Sequence, residues 1–133
     1  MLDVPPRFEK VVLVIEDDPG VCELLNTVLK GDYQVSFLQS AIGALHVVKR
    51  VRPNVILCAG RLPIVGGYEF AAHLSRDPET VCIPVIVMSG WDDGTGEERA
   101  RRFGAVAFLP KPFLLAELRE IIGRHTSEIL FAE

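Results

Sequence analysis

The sequence predicts an α/β fold, a doubly wound parallel sheet of five strands alternating with five helices. Three observations predict it. Short apolar runs of strand length alternate with segments of helical period along the chain. The clearest runs, Val11 to Ile15 and Val85 to Met88, are apolar at every position, as strands buried on both faces are. The chemically capable residues Glu16, Asp17, Asp18, Ser89 and Lys111 all follow strands, each at a carboxyl end.

The first strand is expected over 10–15. Asp18 reads as a helix N-cap with Pro19 at the first helical position, since a capping carboxylate satisfies free N–H groups and proline has none to lose there. Val21, Leu24, Leu25, Val28 and Leu29 form that helix's apolar stripe, and Gly31 ends it. A second strand covers 33–38. Ser40 is expected to cap a helix with Ala41, Ala44, Leu45 and Val48 inward, closed before Pro53.

The third strand covers 55–58 and runs into Ala59. A loop over 63–67 with two adjacent glycines leads to a short helix over 68–74. The fourth strand covers 83–88, and a polar, glycine-containing loop spans 90–96. A helix over 97–103 carries Glu97 and Glu98 in its first turn and Arg99, Arg101 and Arg102 later, matching the helix dipole. Gly104 closes it. The fifth strand covers 106–109, and the last helix 114–124 turns Leu115, Leu118, Ile121 and Ile122 inward.

With 133 residues and 49% hydrophobic content, one packed core is expected, with no repeat and no second domain. A net charge of −4 without a basic run opposes direct nucleic-acid binding. No apolar stretch is long enough for a bilayer, and Asp3, Pro5 and Pro6 stand where a signal peptide is basic and then apolar. The reading is a soluble, cytoplasmic protein without membrane contact. Cys22, Cys58 and Cys82 lack CxxC spacing and fall in apolar patterns, so reduced core thiols are expected. His46, His73 and His125 are scattered, which leaves no zinc or iron site.

Right-handed crossovers put the functional edge of such a sheet at the carboxyl ends of its strands. Glu16 and Asp17, Ala59, Ser89 and Lys111 therefore converge there. An acid pair, a hydroxyl and a lysine suit a phosphoryl group with a divalent cation, but Ala59 offers no nucleophile.

Four motifs carry a resemblance over nearly the whole chain. They are Val14-Ile15-Glu16-Asp17-Asp18-Pro19; Arg61-Leu62-Pro63 with Gly67; Pro84 through Ser89-Gly90; and Gly104-Ala105 through Phe108 to Lys111-Pro112-Phe113. In this order and spacing they resemble the receiver domain of two-component response regulators. The resemblance implies a flavodoxin-like sheet in strand order 2-1-3-4-5. It implies a receiver over 8–125, an N-terminal extension over 1–7 and a tail or linker start over 126–133.

The resemblance also implies roles. Glu16 and Asp17, with the Arg61 backbone carbonyl, would hold Mg2+; the plainer reading is solvated acids at a strand end. Asp18 would cap its helix instead. Ser89 and Lys111 would contact a phosphoryl group, with a cis bond before Pro112. Phe108 would be the aromatic that changes rotamer with Ser89, or an ordinary strand residue. In the family, the residue four before the Leu-Pro proline is the aspartate that attacks a kinase's phosphohistidine; here it is Ala59.

A methyl group is neither nucleophile nor metal ligand, so the usual phosphorylation is lost as written, and Mg2+ binding should be weak or absent. No neighbour replaces it. Cys58 should point to the opposite face, Gly60 has no side chain, and Ser89 lies across the pocket. Gly66, Gly90 and Val106-Ala107 also depart from common family residues.

Two origins fit: a natural pseudo-receiver signalling by protein contact without enzymatic activity, or an engineered Asp→Ala form of a receiver that natively accepts phosphate and turns it over. The implied partners are a histidine kinase or phosphotransfer protein. An output domain or partner protein would meet the face of the fourth helix, fifth strand and fifth helix, including Trp91, Arg99, Arg102 and Phe108. A homodimer through that face is compatible. A flavodoxin-like cofactor binder is a third reading, opposed by Glu16-Asp17-Asp18 standing where a phosphate loop would follow strand one.

Overall fold

The computed structural model describes residues 10–90 and 94–126. Along the chain run β1 (Lys10–Ile15), α1 (Pro19–Leu29), β2 (Tyr33–Leu38), α2 (Ala44–Val51) and β3 (Val55–Ala59). Then follow α3 (Gly67–Arg76), β4 (Val85–Ser89), α4 (Gly96–Arg102), β5 (Ala107–Pro110) and α5 (Leu115–Thr126). All strand pairs are parallel, in the order β2-β1-β3-β4-β5. This is the predicted doubly wound, flavodoxin-like sheet.

The central strands read as continuous apolar runs because both their faces are covered. Period two sends Leu13, Ile15, Ile56, Cys58, Val85 and Val87 to one layer, with Val48, Phe70, Leu74 and Ala100. Val12, Val14, Val55, Leu57, Ile86 and Met88 enter the other, with Leu25, Leu29, Leu118 and Ile122. Each fully buried side chain of this size contributes roughly 1.5–3 kcal/mol relative to exposure. Lys10 Nζ donates to the Thr126 carbonyl at 2.6 Å, tying β1 to the last residue of α5.

Several local expectations hold. Asp18 Oδ1 accepts from the N–H groups of Gly20 (2.8 Å) and Val21 (3.4 Å), with Pro19 opening α1. Gly104 closes α4 at φ +93°. Others are corrected. Ser40 does not cap α2: its Oγ accepts from the Ile42 N–H at 3.0 Å, closing a local turn, and Gly43 at φ +76° stands at the N-cap. The helix starts at Ala44. Leu24 and Leu115 are exposed, since α1 and α5 each bury only the stripe facing the sheet. Cys82 is exposed in the α3–β4 connection, so only Cys58 is a fully buried thiol. Strand β5 starts one residue late, leaving Val106 outside it, and α5 runs on to Thr126. The extension 1–7, the tail beyond Thr126 and Trp91 lie outside the described residues. No helix among the described residues is long and apolar enough to cross a membrane.

One loop is strained. The Val65 N–H donates to the Pro63 carbonyl at 2.8 Å across Ile64, which sits at φ +71° and is 83% exposed. A γ-turn with positive φ is a costly conformation for a β-branched residue. Relieving it returns roughly 1–2 kcal/mol, and glycine loses roughly 0.5–1 kcal/mol of that in chain entropy. Ile64→Gly is therefore expected to stabilise the fold by about 1 kcal/mol or less, read as a higher urea midpoint.

His125, half-buried near the end of α5, has its pKa lowered from 6.5, first by desolvation and then by the Arg124 charge. The folded state binds this proton less readily than the unfolded chain. Stability should therefore fall as the pH drops through about 6.5 and level off below the folded pKa. His125→Gln is expected to flatten this segment of a Tm-against-pH curve.

Candidate functional site

The register aligns four strand ends. Ile15 pairs with Cys58, Ala59 with Met88, and Ser89 with Pro110. Beyond the strands, the Gly60 N–H donates to the Met88 carbonyl (2.7 Å) and the Lys111 N–H to the Ser89 carbonyl (2.8 Å). The edge encloses a cavity of about 330 Å³ lined by Glu16, Asp17, Ala59, Arg61, Ser89 and Lys111, among others. Six predicted site residues thus meet in one place. Phe108 does not line it.

Glu16 follows β1 but stays bonded to the sheet, its N–H donating to the Leu38 carbonyl at 2.9 Å. That turns its side chain inward, to 1% residue exposure. Its Oε1 accepts from Lys111 Nζ at 2.7 Å and its Oε2 from the Asp18 N–H at 3.1 Å. The resemblance implies a metal for Glu16 and a phosphoryl group for Lys111; in the structure the two side chains also pair with each other. The Lys111 side chain keeps 22% exposure, so the pair opens toward water at that end only. Asp17 is exposed at the rim, and Asp18 is committed to capping α1. The Lys111-Pro112 peptide is cis.

Ala59 is 2% exposed, and its methyl lies where the cavity meets the end of β3. Cys58 packs in the α2–α3 layer, as expected from strand period. Burial, and then the Glu16 charge, push its thiol pKa up to about 12. It stays protonated at neutral pH and is no nucleophile. Cys22, half-buried, donates from Sγ to the Glu16 carbonyl at 3.4 Å. Burial first, and then the acids Glu16, Asp18 and Asp17, raise its pKa as well.

The expected magnesium site can be tested against these donors. A tightly held Mg2+ takes several hard oxygens at once. Both Glu16 oxygens are engaged, Ala59 offers none, and among the described residues no group of three His, Cys, Asp or Glu is placed to hold a metal. An ion held here would share Glu16 with Lys111 and the Asp18 N–H and would draw its other protein oxygens from Asp17 and the Arg61 carbonyl.

Two neighbours of the site escaped sequence reasoning. A Cβ on Gly60 would stand 3.0 Å from Tyr68 Cε2, so the tyrosine ring covers the residue after Ala59. That ring packs against Phe103 at 5.6 Å, and the Arg99 guanidinium lies 5.6 Å from its centroid. Arg99 thus leans toward α3, and not onto the α4–β5–α5 face where it was expected. Arg102 stays exposed beside Glu98. Phe108, half-buried on β5, borders a groove of about 180 Å³ with Pro110, Glu117 and Ile121.

Fold and pocket together define a doubly wound α/β module with an acid, hydroxyl and lysine at its strand ends. The family model of the response regulator receiver domain matches residues 12–123, and the chain belongs to this family, the receiver modules of two-component signalling. The chain is 30% identical over 120 residues to the polar-differentiation response regulator DivK of Brucella anthropi, covering 90% of this chain and 98% of DivK. It is 34% identical over 119 residues to a protein-glutamate methylesterase/protein-glutamine glutaminase of Syntrophus aciditrophicus, covering 85% of this chain but 33% of that protein. A response regulator structure from Chloroflexus aurantiacus superposes with a TM-score of 0.85 at 26% identity, covering 90% of this chain and 99% of that one. The receiver domain of a sensor histidine kinase from Pseudomonas aeruginosa, solved with magnesium in its active-site cleft, gives a TM-score of 0.81 at 26% identity, with the same coverages.

Proposed function

We propose that this receiver, spanning about 8–125, signals by protein contact without taking up a phosphoryl group, Ala59 standing where the family's aspartate attacks. The observation that carries this is the cavity floor. At the end of β3 lies a methyl group, and Lys111, which lines the same cavity, is paired with Glu16 at 2.7 Å. Phosphoryl transfer at the family's position needs a nucleophilic side chain at the end of β3, and the Ala59 methyl is not one. Cys58 faces another layer and holds its proton, and Gly60 has no side chain.

Ser89 would contact a phosphoryl group, but Ala59 leaves no phosphoacceptor carboxylate at the end of β3. Asp17, Glu16 and the Arg61 carbonyl would hold Mg2+ weakly. The input partner is a histidine kinase or phosphotransfer protein that docks without transferring phosphate. The output is a domain or partner at the α4–β5–α5 face, with Phe108 as its adjustable aromatic, in the cytoplasm and without direct nucleic-acid contact.

The intact trio Glu16, Ser89 and Lys111 around the cavity favours a second reading, an engineered Asp→Ala form of a working receiver. The codon at position 59 of the native gene decides between them. The common claim is tested on the chain as it stands. Incubated with acetyl phosphate and Mg2+, it is expected to show no added phosphate by intact mass, and labelling would overturn the proposal.

A further inference from the structure

Phe108 lies opposite Val87 on β4, and its ring rests against the first residue of α4. A Cβ built on Gly96 would stand 2.5 Å from both Cε2 and Cζ of that ring and 2.9 Å from Cε1. Carbon atoms in non-bonded contact prefer roughly 3.5–4.0 Å, so the ring fills space that any side chain at 96 would claim. Gly96 is buried, and Ala100, one turn later in α4, is fully buried against the same layer.

Which partner yields distinguishes this glycine from another close contact. A Cβ on Gly67 would meet the Ala59 backbone, with its carbonyl oxygen 2.0 Å away. Backbone inside a sheet cannot yield, so Gly67 is architectural. At Gly96 the obstacle is the free end of a side chain on a half-buried strand residue, which has other rotamers. Phe108 packs against the buried layer that holds Val87, Ala100 and Ala105 and borders a groove with Pro110 and Ile121, so a displaced ring has that groove to enter.

We propose that Gly96 is a positioning residue for Phe108: its missing side chain is the seat of the aromatic ring, and α4 thereby sets which orientation the ring takes. The functional meaning rests on the α4–β5–α5 face being the output surface; the seat itself does not. Moving α4 away from β5 opens the seat, and filling it expels the ring toward solvent. The aromatic and the helix are therefore mechanically coupled at one glycine, and neither Gly96 nor Phe108 lines the cavity at the strand ends.

Fluorine NMR of the full chain carrying para-fluorophenylalanine tests this, with the Phe108 signal assigned by its loss in Phe108→Leu. In Gly96→Ala that signal is expected to shift and to gain solvent exposure, seen as a larger H2O/D2O isotope shift. Gly123→Ala on α5, with open space around its Cβ, is the control and should leave the signal in place. An unmoved Phe108 signal in folded Gly96→Ala overturns the proposal, as does an equal shift in the control. Should Gly96→Ala fold poorly, the double variant with Phe108→Ala must recover the Tm of Phe108→Ala alone, and failure to do so overturns it equally. Partner capture is scored separately. A ring that moves without changing partner affinity refutes the output face and leaves the seat standing.

Discussion

Ala59→Asp is expected to turn a chain that acetyl phosphate leaves unmodified into one that carries a single phosphate in the presence of Mg2+. The variant places a carboxylate oxygen on the floor of a cavity that already presents Ser89 and Lys111. It also adds a hard donor near Asp17, which the present donor set lacks. Loss of a covalent nucleophile typically costs a factor on the order of 10³ or more, so the change should run from background to ready labelling. Intact mass and phosphate-affinity gels read it directly.

The same variant should be less stable than the parent without a divalent ion. Its carboxylate enters a nearly buried position beside Glu16, Asp17 and Asp18, where like charges and desolvation oppose ionisation. A lower Tm without Mg2+, together with labelling when it is added, is the joint expectation. A stable variant that stays unlabelled would mean that Lys111 remains with Glu16 and the pocket no longer supports transfer.

Much of this architecture was legible in the sequence because it rests on local rules. Lys10–Ile15 and Tyr33–Leu38 have the predicted bounds, since continuous apolar or β-branched runs between turn residues leave few alternatives. Asp18-Pro19 announces a helix start by chemistry that needs no partner from elsewhere. Ser40 misled because a hydroxyl bonds a nearby N–H in a turn as readily as at a helix cap, and Gly43 three residues on had the positive φ. Leu24 and Leu115 misled because period marks a face without saying how far the sheet beneath it extends.

The site was legible as a set of positions and illegible as a set of contacts. Strand ends and right-handed crossovers placed Glu16, Ala59, Ser89 and Lys111 on one edge, and the structure puts them around one cavity. The ion pair joins residues 95 positions apart, and nothing in either motif chooses between a lysine facing a ligand and one facing Glu16. Gly60 under Tyr68 and Gly96 under Phe108 were invisible for a related reason. A glycine records a missing volume, and only the packed fold shows which side chain fills it.

Lys111→Met is expected to destabilise the fold by about 2–3 kcal/mol, because it strands a buried carboxylate. Removing one partner of a buried pair typically costs roughly 3–5 kcal/mol, and the 22% exposure of Lys111 lets water recover part of that. Glu16 keeps only the Asp18 N–H as a donor at Oε2. The double variant Glu16→Gln/Lys111→Met should regain most of the loss, with a coupling of about 2 kcal/mol in a urea-unfolding cycle. A coupling near zero would show that the pair does not hold the pocket. A second readout separates charge from packing. With the ammonium gone, Glu16 and Asp17 face the cavity without a counter-ion, so Mn2+ should bind Lys111→Met about tenfold more tightly than the parent, a difference of about 1.4 kcal/mol. Lys111→Arg keeps the charge and should keep the weak binding. If Lys111→Met is destabilised while its Mn2+ affinity stays unchanged, the lysine supports packing only. If both change together, Lys111 is the cation this pocket uses in place of a metal.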